Sequence, residues 1–146
     1  TAGRILIKSR NVLIENNIIE NNLGSGIFIG AETGWKEGVT TTDVIVRDNK
    51  IRNCAAGISV VLDAKDRTTI GINKRITIEN NTIEGDPSSE AISINNAEDV
   101  TIRKNRIKGC KPGIKIQYTR RIQVTNNPGG TVDVGPGVSE LHETKV

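Results

Sequence analysis

The side chains best equipped for chemistry in this 146-residue chain crowd into two stretches. Residues 30–43 carry Glu32, Trp35, Lys36 and Glu37, and residues 61–75 carry Asp63, Lys65, Asp66 and Arg67. Carboxylates accept hydrogen bonds, cations donate them and an indole ring offers a flat apolar platform, so the set suits a polyhydroxylated ligand such as a sugar chain. Phe28, Ser59, Ser93 and Lys115, with Glu90 on the far margin, are placed by the repeat described below on a strip beside these stretches. The expected substrate contacts are Trp35, Phe28, Glu32, Lys65, Asp66, Ser59 and Ser93. Two plainer roles stand beside these: Trp35 can cap the core beneath its own loop, and the mixed charges can form an ordinary solvated face.

Other chemistries lack their residues. His142 is the sole histidine and is read as idle tail, which removes Ser-His-Asp and Cys-His catalysis and any histidine-built metal site. Loop carboxylates on neighbouring coils could converge on calcium, but no Asp-rich spacing that fixes a calcium cage is present, and no cofactor is expected. Threonines do not form the flat array of an ice-binding surface, since Thr77 and Thr101 stand among Leu13, Ile45 and Gln123. The net charge is only +3 and the signs alternate along the chain, which argues against a nucleic-acid partner. No run reaches the roughly 18 apolar residues of a membrane span, and no signal peptide is recognisable, so no membrane partner is expected. The first residue is Thr1, and the chain reads as a piece of a longer protein.

The elements that must position these residues follow from composition and repetition. There are 22 Ile against 5 Leu, with 15 Asn and 15 Gly, a mixture that favours strands and tight turns over helices. One pattern recurs: Val12-Leu13-Ile14-Glu15-Asn16-Asn17-Ile18-Ile19, then Val44 to Ile51, Ile76 to Ile83 and Val100 to Ile107, with a fifth copy that starts at Ile122 and breaks at Pro128. After a short turn each unit returns through a second alternation: Gly26-Ile27-Phe28-Ile29, Gly57-Ile58-Ser59-Val60, Ala91-Ile92-Ser93-Ile94 and Gly113-Ile114-Lys115-Ile116. Asn17, Asn49, Asn81, Asn105 and Asn127 are spaced 32, 32, 24 and 22 residues apart, which is room for three short strands and their turns. Each repeat is therefore one coil of a solenoid, and the expected fold is an all-β parallel β-helix of about four to five coils.

Stacking has further consequences. The recurring asparagine should supply the left-handed backbone of a sharp corner and bond its copies above and below as a ladder. Glu15, Arg47, Glu79 and Arg103, and likewise Glu20, Arg52, Glu84 and Lys108, should form columns of alternating charge. Cys54 and Cys110 occupy homologous positions two coils apart, about 10 Å, so they should remain free, shielded thiols. The two long links fall at the same corner of successive coils and must stack side by side; insertions on one face of a solenoid often carry binding.

The β-helix is expected over residues 1–134, followed by a tail, 135–146, in which Val138 and Leu141 can cap the last coil. At the other end Arg4-Ile5-Leu6-Ile7 starts in mid-coil, leaving an apolar edge for an adjoining domain or subunit. The chain is then either a carbohydrate-associated module or a structural spacer and interaction stem.

Through V-x-I-x-x-N-x-I followed by G-I-x-I over residues 4–127, the chain resembles the pectin-lyase-like superfamily of right-handed parallel β-helices. More narrowly, the stretch from Ile5 to Cys54, with Gly34-Trp35-Lys36-Glu37-Gly38 and Asp43 to Asn49, is similar to the β-helix of bacterial α-1,3-galactosidases. That resemblance implies an extracellular, inverting glycoside hydrolase much longer than this chain, with a polysaccharide or oligosaccharide as partner. Its Trp-x-Glu motif maps onto Trp35 and Glu37, making Glu37 a candidate catalytic carboxyl. Inversion needs two carboxyls about 6.5–9.5 Å apart, for which Asp63, or Glu32, is the companion expected on these coils. The superfamily also contains polysaccharide lyases, so hydrolysis and elimination both remain open.

Overall fold

A computed structural model describes residues 4–32, 40–64 and 68–145. Twelve strands follow one another in it: β1 (Ile5–Ile7), β2 (Arg10–Glu15), β3 (Ile18–Ile29), β4 (Thr42–Arg47), β5 (Lys50–Val60), β6 (Asn73–Glu79), β7 (Thr82–Glu84), β8 (Glu90–Arg103), β9 (Arg106–Lys108), β10 (Ile114–Thr125), β11 (Val132–Val134) and β12 (Ser139–Thr144). Every pairing among them is parallel, and partners come from successive coils. This is the all-β parallel β-helix that the repeat predicts.

Three faces close around the core. On the first face Val12, Val44, Ile76, Val100, Ile122 and Leu141 lie in register. Ile19, Ile51, Ile83 and Ile107 do so on the second. The third carries Ile5, Ile27, Ile58, Ile92, Ile114 and Val132. Ile27, Ile58, Ile92 and Ile114 are fully buried, as are Ile29, Val60, Ile94 and Ile116 two residues on. Period-2 alternation sends these side chains inward and their neighbours out, and β-branched shapes stack well on copies one strand spacing away.

The corner between the first two faces is built by residue pairs. Asn17 donates from its backbone N–H and from Nδ2 to Asn49 Oδ1, both at 3.0 Å. Asn49, Asn81 and Asn105 repeat the contact onto Asn81, Asn105 and Asn127. In the middle of the run Nδ2 also donates to a main-chain carbonyl of the preceding coil, as from Asn81 to Val46 at 3.0 Å. The left-handed residue, however, is the one before each ladder asparagine: Asn16, Asp48, Asn80, Lys104 and Asn126 have φ between 52° and 58°. The physical reason is a division of labour. A left-handed residue turns the chain, and the next residue can then direct its amide inward, onto the stack.

Two other expectations change or hold in detail. Of the segment 135–146, read as a tail over the last coil, the described residues instead continue the solenoid: β12 pairs in register with β10, with Leu141 on Ile122 and His142 on Gln123. Val138 and Leu141 do pack against the core, so this end is covered by further winding. Cys54 and Cys110 are both free and buried, and loss of solvation raises both thiol pKa values above the ordinary range.

Asn81 is almost fully buried and bonded both above and below. Asn81→Ala leaves a buried carbonyl and neighbouring amides unpaired, and should cost about 3 kcal/mol in a urea unfolding experiment. Asn17→Ala, at the part-buried end of the run, should cost clearly less.

Candidate functional site

The outward residues of the third face form a strip in register: Leu6, Phe28, Ser59, Ser93, Lys115 and Asp133. The expected Phe28, Ser59 and Ser93 thus do share one column. One margin is the turn that ends at Glu90, whose Oε1 accepts from Lys115 Nζ at 3.1 Å. The opposite margin is where the two long links begin. There Glu32 and Asp63 pair across neighbouring coils, so the first residues of the links are in register.

Backbone chemistry fixes this margin. Gly30 has φ of 140°, and a Cβ on it would lie 1.8 Å from the Val61 carbonyl oxygen, so only glycine lets the first link leave its strand so close to the second. Main-chain bonds from Gly30 to Ile7, Val61 to Ile29 and Asp63 to Ala31, at 2.9–3.0 Å, carry the ladder past the strand ends.

The charges are ordered around Glu32. Its carboxylate accepts from Lys8 Nζ at 2.8 Å and Arg4 at 3.0 Å, and the Arg4 guanidinium lies 4.9 Å from the Phe28 ring centroid. The Lys8 hydrogen bond, outweighing the cost of burial and helped by Arg4, holds the Glu32 carboxyl below its ordinary 4.5. Glu32 is therefore a fixed anion at neutral pH and not a proton donor. Phe28 is only 9 % exposed, which makes it a support beneath Arg4 more than an open platform. Ser59 Oγ lies 2.8 Å from Ser25 Oγ, and Ser93 is buried to the same degree as Phe28. Trp35, Glu37, Lys65 and Asp66 fall outside the described residues, as do Lys36 and Arg67.

A residue missed in the sequence anchors the second link. Asn96 is fully buried; its Oδ1 accepts from the Leu62 N–H at 3.2 Å, its Nδ2 donates to the Thr69 carbonyl at 2.8 Å, and its own carbonyl accepts from the Ile72 N–H at 3.1 Å. One side chain thereby ties the start of the link to its return. The available signal was an asparagine pair, Asn95-Asn96, outside the ladder positions.

The first face holds a second missed feature, a shallow groove over Leu13, Ile45, Thr77, Thr101, Gln123 and His142. Two hollows of about 310 and 550 Å³ meet at Asp99 along it. One wall is a column of left-handed residues in which Arg75 grips Asp43 at 2.6 and 2.9 Å and Arg121 grips Asp99 at 2.7 and 3.2 Å. His142, expected to be idle tail, lines the groove.

Two outcomes follow. Glu32 should titrate below 4.5 by NMR, and Lys8→Met should move its midpoint upward. Because the folded value is depressed, its contribution to stability is complete above the ordinary range and fades as pH falls through the lowered value; Glu32→Gln should flatten that acid loss. Asn96→Ala strands the Leu62 N–H and Thr69 carbonyl, so amide exchange at Leu62 should accelerate and stability fall by about 2 kcal/mol.

Comparison with known proteins adds to this geometry. The chain is similar to alpha-1,3-galactosidase A of Bacteroides thetaiotaomicron, with 26 % identity over 140 residues covering 74 % of this chain and 24 % of that protein. A family signature described as "Periplasmic copper-binding protein (NosD)" matches residues 1–128. Copper favours thiolate, thioether and imidazole ligands. This chain has no Met, its two Cys are buried on different coils with raised pKa values, and its His142 lies on the first face. Among the described residues no group of three or more His, Cys, Asp or Glu is placed to hold a metal, so these residues do not fit a copper centre. With repeat, coil geometry and signature in agreement over most of its length, the chain belongs to the NosD family of right-handed parallel β-helices.

Proposed function

We propose that this chain is a carbohydrate-associated β-helix module, part of or derived from an extracytoplasmic glycoside hydrolase or polysaccharide lyase. The observation that carries the reading is the register of Glu32 with Asp63, which sets the starts of both long links beside the third-face strip. An extended glycan along that strip meets the half-buried Ser59 hydroxyl and the Lys115–Glu90 ion pair in turn, with Ser93 buried between them. Trp35 is the stacking platform, and Lys65 and Asp66 donate to and accept from sugar hydroxyls. Glu32, held charged by Lys8 and Arg4, accepts hydrogen bonds and stabilises developing positive charge.

For catalysis, Glu37 and Asp63 form the carboxyl pair, one protonating the leaving oxygen and the other activating water, the arrangement of an inverting hydrolase. The galactosidase similarity and the periplasmic description of the family support a glycan substrate and a location outside the cytoplasm. The matched segment is 24 % of the galactosidase, so the remaining machinery belongs to other parts of a longer protein. An adjoining domain or subunit covers the apolar edge that starts at Arg4-Ile5-Leu6-Ile7, where Ile5 and Ile7 are only partly buried.

A glycan array followed by reducing-sugar assays on plant and animal polysaccharides tests the reading. Trp35→Ala should weaken binding by about tenfold, the worth of one stacking contact. Glu37→Gln should abolish turnover while leaving binding in place. Silence of the wild-type protein across the panel would overturn the proposal.

A further inference from the structure

Thr41 and Asn73 are an anomaly in an otherwise well-bonded interior. Both are fully buried, yet Thr41 Oγ1 and both amide atoms of Asn73 find no hydrogen-bond partner in the protein. The two residues are level with each other on adjacent coils: Thr42 is in register with Lys74, and the Lys74 N–H donates to the Thr41 carbonyl at 3.0 Å. The next positions in the column are Ala97 and Thr119. Ala97 brings no polar side-chain atom, and the Thr119 hydroxyl is satisfied by the Gln117 carbonyl at 2.8 Å. Among the described residues the orphaned atoms are thus confined to the two long links, at the point where each returns to its strand.

We propose that Thr41 and Asn73 enclose one internal water-binding site that bridges the bases of the two long links. The donor set selects the occupant. Asn73 presents a carbonyl oxygen that accepts and an NH2 group that donates, and the Thr41 hydroxyl can serve as either. A cation would meet the Asn73 N–H and an anion its carbonyl oxygen, whereas water donates and accepts at once. Three bonds is the usual complement of a buried water. Three buried polar atoms left bare would instead carry a desolvation penalty with nothing to offset it. The site is independent of the glycan reading, since it concerns how the links are seated and not what they bind.

High-resolution crystallography of the chain, with water-exchange NMR on the side-chain amide of Asn73, tests this directly. One ordered water should lie about 2.7–3.2 Å from Thr41 Oγ1 and from the Asn73 amide. The Asn73 Nδ2 protons should show cross-peaks to a slowly exchanging water, and the Thr41→Val, Asn73→Leu double variant should lose that water. Thr41→Val alone should lower the melting temperature by about 4 °C, because it strips a bonding partner from the water. A dry corner at that resolution, or a Thr41→Val variant that melts higher than wild type, overturns the proposal, because an orphaned hydroxyl is better replaced by a methyl.

Discussion

A single coil of this chain cannot bury its own aliphatic face. Stability comes from placing each inward Ile or Val over its counterpart on the next coil, roughly 4.8 Å away, so that side chains from three faces fill one continuous core. Ile27, Ile58, Ile92 and Ile114 illustrate the constraint: each occupies the same place in its coil and each is wholly removed from water. Once that repetition is imposed, corners, charges and links must repeat as well, and the features that fail to repeat are where a site can be built.

Polar groups secure the register that the apolar ones only permit. The ladder asparagines satisfy backbone groups on two coils at once, inside the core, where a missing partner is expensive. Surface pairs act differently. Arg47 with Glu15, Arg52 with Glu20 and Arg103 with Glu79 lie at 2.7–2.8 Å but are substantially exposed, so each adds little stability. Their signs alternate from coil to coil, and a slip by one coil would set like charges together. The column Asp43, Arg75, Asp99, Arg121 and Glu140 obeys the same rule from left-handed positions.

The long links are seated by a small number of buried contacts. Gly30 admits the close crossing with Val61, Asn96 ties the second link to its own return, and Thr41 and Asn73 lie buried and level with each other where the links rejoin their strands. Around them Lys8 and Arg4 fix the charge of Glu32 and Arg4 covers Phe28. The charge of Glu32 is thus set by residues of the preceding coil.

Periodicity alone determined the architecture, because inward and outward positions alternate strictly and a repeating asparagine can stack only on itself; strand faces, charge columns, buried thiols and the neighbouring starts of the two links were all legible in the residue order. Local pattern could not decide which residue of Asn16-Asn17, Asn80-Asn81 or Asn126-Asn127 turns the chain, since both tolerate left-handed backbone and only the direction of the amide separates them. Nor could it show that residues 135–144 wind on as another coil: Pro136 and its flanking Gly135 and Gly137 interrupt the motif, while β12 forms by pairing with β10. The role of Asn96, the pairing of Glu32 with cations 24 and 28 residues away and the groove over Thr77 and Thr101 arise from contacts between coils. Such contacts depend on how far each link travels before the chain returns, and that distance is decided only when the coils are stacked.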